Sequence, residues 1–403
     1  MMSRVFTTKT RRLFKFLNVI VIAATAPTVA AQQTPYLVSS LAEPRAALSS
    51  QGFDVEVVAT TDFMALIDGG IDTGIDTPAN FDIVLTQDTA SAGWWPNGSF
   101  LLYFLGTTGG DPTTRAGDLQ TASNIEATNT FKVFEASYEH RFNDDHVSLL
   151  VGLHDINSDF YALEHAGLFL NSSFGIGPEL TQTSPSIFPT SSVATRLRLS
   201  FDDLYVLTAI YDGIPGDPAD ETGTHVQLND GDGIYYISEI GIAGAEEHYY
   251  KYSVGTWYSS AEFEDFAAAP QDDNKGIYLL AERDLGRDVD GRGTGVFLQL
   301  GIADGKRNQV ERYIGAGMTR TGLLPSRPED VAGIAIGNVR NSAEFRLVNP
   351  ELGGSETAIE LSYLIAPTPW FTIQPDLQYI IDPGTDPATD NALVATMRFQ
   401  IAF

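Results

Sequence analysis

Residues able to break bonds are sparse in this 403-residue chain. Its six histidines stand at 140, 146, 154, 165, 225 and 248, with no His-Glu-x-x-His pair and no cysteine to complete a zinc site. Neither a Gly-x-Ser-x-Gly elbow nor a Walker-type phosphate loop occurs. Without cysteine there is also no thiol chemistry and no disulfide. Asp230-Gly231-Asp232-Gly233 with Glu239 partly fits a calcium loop. The first ligand position falls on Leu228, however, and an alternating stretch begins at Ile234 where a helix is required. Asp230, Asp232, Asp288 and Asp290 remain as loop carboxylates that could gather calcium, and no other cofactor is expected. What the chain does offer is paired hydrogen-bonding groups. Arg196 and Arg198 are two apart in an alternating stretch, so both guanidinium forks leave one face about 7 Å apart. That is recognition chemistry, without turnover.

The elements that must carry such residues have a period of two. Val193, Thr195, Leu197, Leu199 and Phe201 alternate with Ala194, Arg196, Arg198 and Ser200; Leu393 to Phe403 and Phe371 to Ile381 behave alike. One face in an apolar medium and one in water is the physical reading. Sixteen strands are expected, at 53–67, 80–89, 99–108, 130–142, 146–155, 193–201, 203–212, 234–243, 248–259, 275–284, 293–303, 310–321, 329–340, 355–365, 369–381 and 391–403. Many exceed the usual soluble strand of about 5–6 residues and suit a tilted bilayer crossing. Connections alternate between short (143–145, 202–203, 244–247, 366–368) and long (109–129, 156–192, 213–233, 260–274, 341–354), with three intermediate ones near 90–98, 285–292 and 322–328. Short turns on one side and long loops on the other mark an outer-membrane β-barrel. Pro375 cannot donate to a ladder, so a bulge and a slip of parity are expected there.

Residues 1–31 read as an export signal, with Arg4, Lys9, Arg11, Arg12 and Lys15 before a short apolar core and a cleavage site ahead of Gln32. Residues 32–52 then form a periplasmic segment, and 53–403 the barrel. Of 24 Lys+Arg, the leader takes five, so 19 face 52 Asp+Glu and the remainder carries −33. This argues against nucleic acid as a partner. Because charge facing lipid is costly, the acids are expected largely on extracellular loops. Trp94, Trp95, Tyr211, Tyr249, Tyr250, Tyr258, Trp370 and Phe371 fall near strand ends, where the bilayer interface favours such rings.

Several long motifs carry a resemblance. They are Gly117-Asp118-Leu119-Gln120, Ser123-Asn124-Ile125-Glu126-Ala127, the run Leu168 to Glu179, Tyr211 to Pro218, Gly223-Thr224-His225 with Gly231-Asp232-Gly233, Thr368-Pro369-Trp370, Ile373 to Tyr379, and Arg398 to Phe403. Together they make the chain similar to the carbohydrate-selective porin (OprB) family of Gram-negative outer membranes, over most of its length. The resemblance implies a sixteen-stranded channel for monosaccharides, usually trimeric, among outer-membrane lipids and lipopolysaccharide. It also implies that the assembly machinery reads the terminal Phe403, and that Ser40 to Gln51 is a short helix plugging or lining the periplasmic mouth.

In that frame 156–192 is the third extracellular loop. Its apolar centre, Leu168-Phe169-Leu170, suits inward folding against the wall. Sugar hydroxyls pair with arginine forks, carboxylates and amides, and sugar C–H faces stack on aromatic rings. The period puts Arg196, Arg198, Arg398, Glu135, Glu239, Gln374, Asp376 and Gln378 on the water side, with Trp257. The motif loops add Arg115, Asn124, Glu126, Asn157 and Asn171. A general or cation-preferring porin is the rival within the class. A barrel enzyme is the rival outside it, and the scattered histidines offer no nucleophile–base pair.

Overall fold

The computed structural model describes residues 37–403 except 245–247, 265, 267–269, 272 and 288–291. The expected leader, 1–31, and Asp288 and Asp290 lie outside the described residues. Sixteen of the described strands close one antiparallel wall: β1 Phe53–Gly70, β2 Ala79–Asp88, β3 Gly98–Thr108, β4 Thr130–Phe142, β5 Val147–His154, β6 Ser192–Phe201, β7 Leu204–Asp212, β8 Ile234–Gly244, β9 Tyr250–Ser259, β10 Asn274–Arg287, β11 Gly293–Ala303, β12 Val310–Thr321, β13 Val331–Asn341, β14 Ser355–Thr368, β15 Phe371–Ile381 and β16 Asp390–Ala402. Each pairs with its chain neighbours, and β16 closes on β1 from Val58↔Ala402 to Gly70↔Asp390. Closure leaves no unpaired edge, which a bilayer demands because its core offers backbone groups no water.

Side-chain burial is inside out. Ile277, Ile302, Ile314 and Leu361, each on the outward face of its strand, are about half exposed (50–54%). On the inward faces Glu239, Glu282, Gln299, Glu360 and Gln378 are buried. An apolar exposed wall around a polar interior is the pattern of a transmembrane barrel. All the long connections follow odd-numbered strands and share one rim; the turns 89–97, 143–146, 202–203, 322–330 and 369–370 share the other, with both ends of the barrel. No described helix is long and apolar enough to cross a membrane.

Four expectations need correction. Parity does not slip at Pro375. The β14–β15 ladder omits the pairs opposite Gln374 and Pro375, yet Ser362↔Asp376 and Ile365↔Ile373 keep one register, and the irregularity falls between Ile365 and Thr368. A missing N–H breaks a hydrogen bond there without inserting a residue. Tyr211 and Tyr249 are not interface rings. Tyr211 is buried beside His154, and Tyr249 donates to Glu282 Oε1 at 2.7 Å. The helix α1, Ala42–Ser49, has no buried residue, so it is not a plug packed within the barrel. Instead Arg45 donates to the Val55 carbonyl (2.9 Å) and to that of Phe403, across the β1–β16 seam. Nor do the loops hold the acids alone: the inner wall buries Asp62, Glu135, Glu239, Glu282, Glu356 and Glu360.

Candidate functional site

The connection between β5 and β6 makes its contacts on the inner face of the wall. It is a chain of short helical turns, Ile156–Ser158, Ala166–Leu168, Ser172–Gly175 and Pro178–Thr181. Phe160, Tyr161, Phe169, Phe174 and Leu180 are buried in one apolar cluster with Tyr278, Leu280 and Phe297 of β10 and β11. The wall makes room with glycine. A Cβ on Gly301 would lie 2.0 Å from Glu179 Cδ, and one on Gly333 would lie 2.5 Å from Leu168 Cδ2 and 2.8 Å from Phe169.

Turns this short leave most of their backbone N–H groups without a helical acceptor, and buried donors must be paired. Wall glutamates supply the acceptors. Glu135 takes Asp155 N–H at 2.8 Å, and Glu239 takes Tyr161 N–H at 3.2 Å. Glu282 accepts from Glu164 and His165 at 3.0 and 2.9 Å; Glu360 accepts from Leu170 and Asn171 at 2.5 and 3.1 Å. Glu356 does the same for Leu119 and Gly384 of two other connections. Each carboxyl group offers two acceptor oxygens, enough for a pair of neighbouring N–H donors. The inner-wall acids are therefore loop anchors.

The arginines divide by environment. Arg196 is buried and spends its donors on Asp159 (2.7 Å), Ser148 (2.6 Å) and Glu139 (3.1 Å), while Asp159 also meets His154 Nε2 at 3.2 Å. Burial alone would raise the Asp159 carboxyl; the Arg196 charge and the His154 hydrogen bond outweigh it and hold the carboxyl far below its ordinary range. Arg398 forks onto Asp62 (2.6 and 2.8 Å) and reaches Asn124 Oδ1 at 2.8 Å. Arg198 differs. It is only half-buried, donates to Ser200 Oγ at 3.3 Å, stands 5.5 Å over the Tyr205 ring, and among the described residues has no carboxylate in ion-pairing range. So the two arginines that share a face do unlike work.

The other expected residues fall mostly into the same scaffold. Asn171 joins Gln378 at 3.2 Å, and Gln378 in turn donates to the Ala122 carbonyl and to Asp376. Gln374 holds the Leu168 carbonyl at 2.6 Å, and Asn157 donates to Phe160 and Gly175 within its own loop. Trp257 faces inward as its parity required, fully buried and stacked on Tyr235. Arg115 is not in the lumen: it pairs with Asp72 and Asp76 on the loop-bearing rim. Glu126 accepts from Thr113 in the same loop, and burial with the Asp111 hydrogen bond pushes it up to about 9. No group of three or more His, Asp or Glu suited to a metal occurs among the described residues, and Asp232 is occupied by Asn229 N–H.

Sequence reasoning missed Asp159, Glu139, Glu282, Glu356, Glu360 and the Glu239 partners Tyr205 and Tyr278. The signal was there for some. Glu356 and Glu360 share one parity with Ser362, opposite Leu361, and two carboxylates on the inner face of one strand ask for donors. Nothing in the run Asp155 to Asp159 distinguishes the anchor from its neighbours.

A closed wall of sixteen strands, apolar outside and polar within, with one connection bound along its inner face, defines an outer-membrane porin. The family model described as "Carbohydrate-selective porin, OprB family" matches residues 73–403, and the chain belongs to that family. It is 25% identical to Porin B of Pseudomonas aeruginosa over 413 residues, covering 89% of each chain. Among solved structures it is similar to the high-pH form of Pseudomonas putida OprB, with TM-score 0.82, 18% identity, and 93% and 99% of the two chains covered. The trimer form of OmpT from Vibrio cholerae shares the fold at TM-score 0.52 and 10% identity, covering 87% and 99%. The protein is a sugar porin of the Gram-negative outer membrane, and a channel rather than an enzyme.

Proposed function

We infer that small neutral sugars diffuse through the lumen left beside the 156–192 loop, and that this loop is the constriction. Arg198 is the selective contact. The observation that carries this is its half-buried guanidinium, without a carboxylate partner among the described residues, against the fully engaged Arg196 and Arg398. Ser148 is its register partner on β5, and Arg141 is the partner of Ser148 on β4. The Arg198 guanidinium offers the donors that ring hydroxyls accept, while Ser148 and Glu139 stay engaged with Arg196.

The trimer form of a fold relative supports a homotrimer here, and the alternating last strand supports recognition of Phe403 during assembly. A leader ending before Gln32 fits export to the outer membrane. Ion-current block by hexoses in planar bilayers, with swelling of proteoliposomes in the same sugars, tests the reading. Block and faster hexose entry are expected. A general, cation-preferring porin would share the fold but pass current indifferent to hexose.

A further inference from the structure

We propose that the loop-bearing rim of β10, β12 and β13 binds a phosphorylated, multiply acylated glycolipid of the outer leaflet. Cations are scarce on this acidic chain, and those facing lipid are not scattered. Among the described residues, every Lys or Arg at a lipid-facing strand position lies on these three strands: Lys275, Arg283, Arg312, Arg320 and Arg340. Arg283 and Arg320 lie toward the short-turn rim. Lys275, Arg312 and Arg340 lie at the rim of the long loops.

Arg312 and Arg340 are register partners on adjacent strands and share the outer face with Ile314 and Ile336. Like charges directly opposite each other, about 5 Å apart, destabilise a sheet unless an anion neutralises them. The protein supplies little. Arg340 has no ion pair among the described residues, and the carboxylate on Arg312 is Glu311 at 3.4 Å, a residue in a register shift of the strand. Lys306, exposed in the turn before β12, is also unpaired there, and Lys275 meets Asp273 only at 3.5 Å. Two guanidinium forks at that spacing can hold one phosphate.

Just past these charges on the same face come Ile302, Ile314 and Ile336, each about half exposed. They continue an apolar strip across neighbouring strands spaced about 5 Å apart, wide enough for several acyl chains. Cations over such a strip complement a lipid with phosphate at the headgroup. The long-loop rim faces the outer leaflet, so the glycolipid is the fitting occupant.

The experiment is native mass spectrometry of the full-length, folded protein in detergent, with bis-phosphorylated hexa-acyl lipid A as probe. Wild type should retain the lipid. Arg312→Gln with Arg340→Gln should weaken retention about 25-fold, from roughly 5-fold per arginine, while Arg283→Gln leaves it unchanged. Heat-modifiable migration confirms that each variant is folded; should the double variant not fold, Arg340→Gln alone must show its 5-fold loss. Unchanged retention by the variant overturns the proposal. Equal wild-type retention of dephosphorylated lipid A or of phosphatidylglycerol would overturn it too.

Discussion

Arg196 Nε lies 2.7 Å from Asp159 Oδ2 and ties strand β6 to the start of the loop that runs along the inner wall. Both side chains are nearly sealed from solvent, at 5% and 11% exposure. Removing one partner of a buried pair leaves the other uncompensated, typically at about 3–5 kcal/mol. Arg196→Ala should therefore lower the thermal midpoint of the heat-modifiable band and raise open-channel conductance and noise as the loop loosens. Arg196→Lys should rescue only partly, because an ammonium cannot span Asp159, Ser148 and Glu139 together. A midpoint equal to wild type would show that the tie is dispensable.

The glycine floor gives a steric test of the same packing. At Gly333 a side chain would enter the space of Leu168 and Phe169, and Leu168 is itself fixed by Gln374. Gly333→Val should cost about 1–3 kcal/mol of overpacking and shift single-channel conductance. Gly286→Ala, where an added Cβ meets nothing within 4 Å, should change neither. If both variants conduct alike, the loop does not set conductance.

How much of this was legible beforehand depends on what each residue answers to. Strands β11 and β12 begin and end where the alternation placed them, 293–303 and 310–321, because each side chain there meets one of two solvents and the period records which. The inward parity of Arg196, Glu239, Gln374 and Gln378 was legible for the same reason. Their roles were not. Whether Arg196 binds solute or scaffold depends on Asp159, 37 residues away in an aperiodic loop, and no local pattern encodes that meeting. Tyr211 shows the same limit: a ring near a strand end suits the lipid interface equally well, and only its partner His154 reveals that it points inward.

Acidity should tighten the loop. Glu179 is buried, Tyr161 Oη donates to one of its oxygens at 3.1 Å, and the other oxygen has no hydrogen-bond partner among the described residues. Burial pushes its carboxyl up to about 7 from 4.5. The folded value exceeds the unfolded one, so its stabilisation is complete below the unfolded value and is lost as pH rises through about 7. Asp155, pushed to about 7 by burial and then by the Glu135 charge, acts in the same sense. Asp159 is opposite, its carboxyl depressed, so its contribution is lost only in strong acid. The thermal midpoint should fall between pH 5 and pH 8.5, by an amount reflecting on the order of 3 kcal/mol for Glu179. Glu179→Gln should flatten most of that slope; a midpoint that climbs with pH in the wild type would contradict the assignment.

The contrast between Arg196 and Arg198 gives the sharpest test of where sugar is read. The two leave one face of β6, one strand repeat apart, yet only Arg198 keeps donors for a passing solute. Losing a hydrogen bond to a charged group costs about 1.5–3 kcal/mol, roughly 10- to 150-fold in affinity. Exposure to solvent places Arg198 at the lower end of that range. Arg198→Ala should therefore weaken hexose block of ion current about tenfold while leaving stability within about 0.5 kcal/mol of wild type, as for a surface change. Arg196→Ala should do the reverse, with a lowered midpoint and altered conductance whose residual block follows from loop disorder. Bilayer titrations with several hexoses on folded variants, alongside gel midpoints, separate the two. If Arg198→Ala retains full block, the selective contact lies with another lumen group, and Arg198 is wall charge alone.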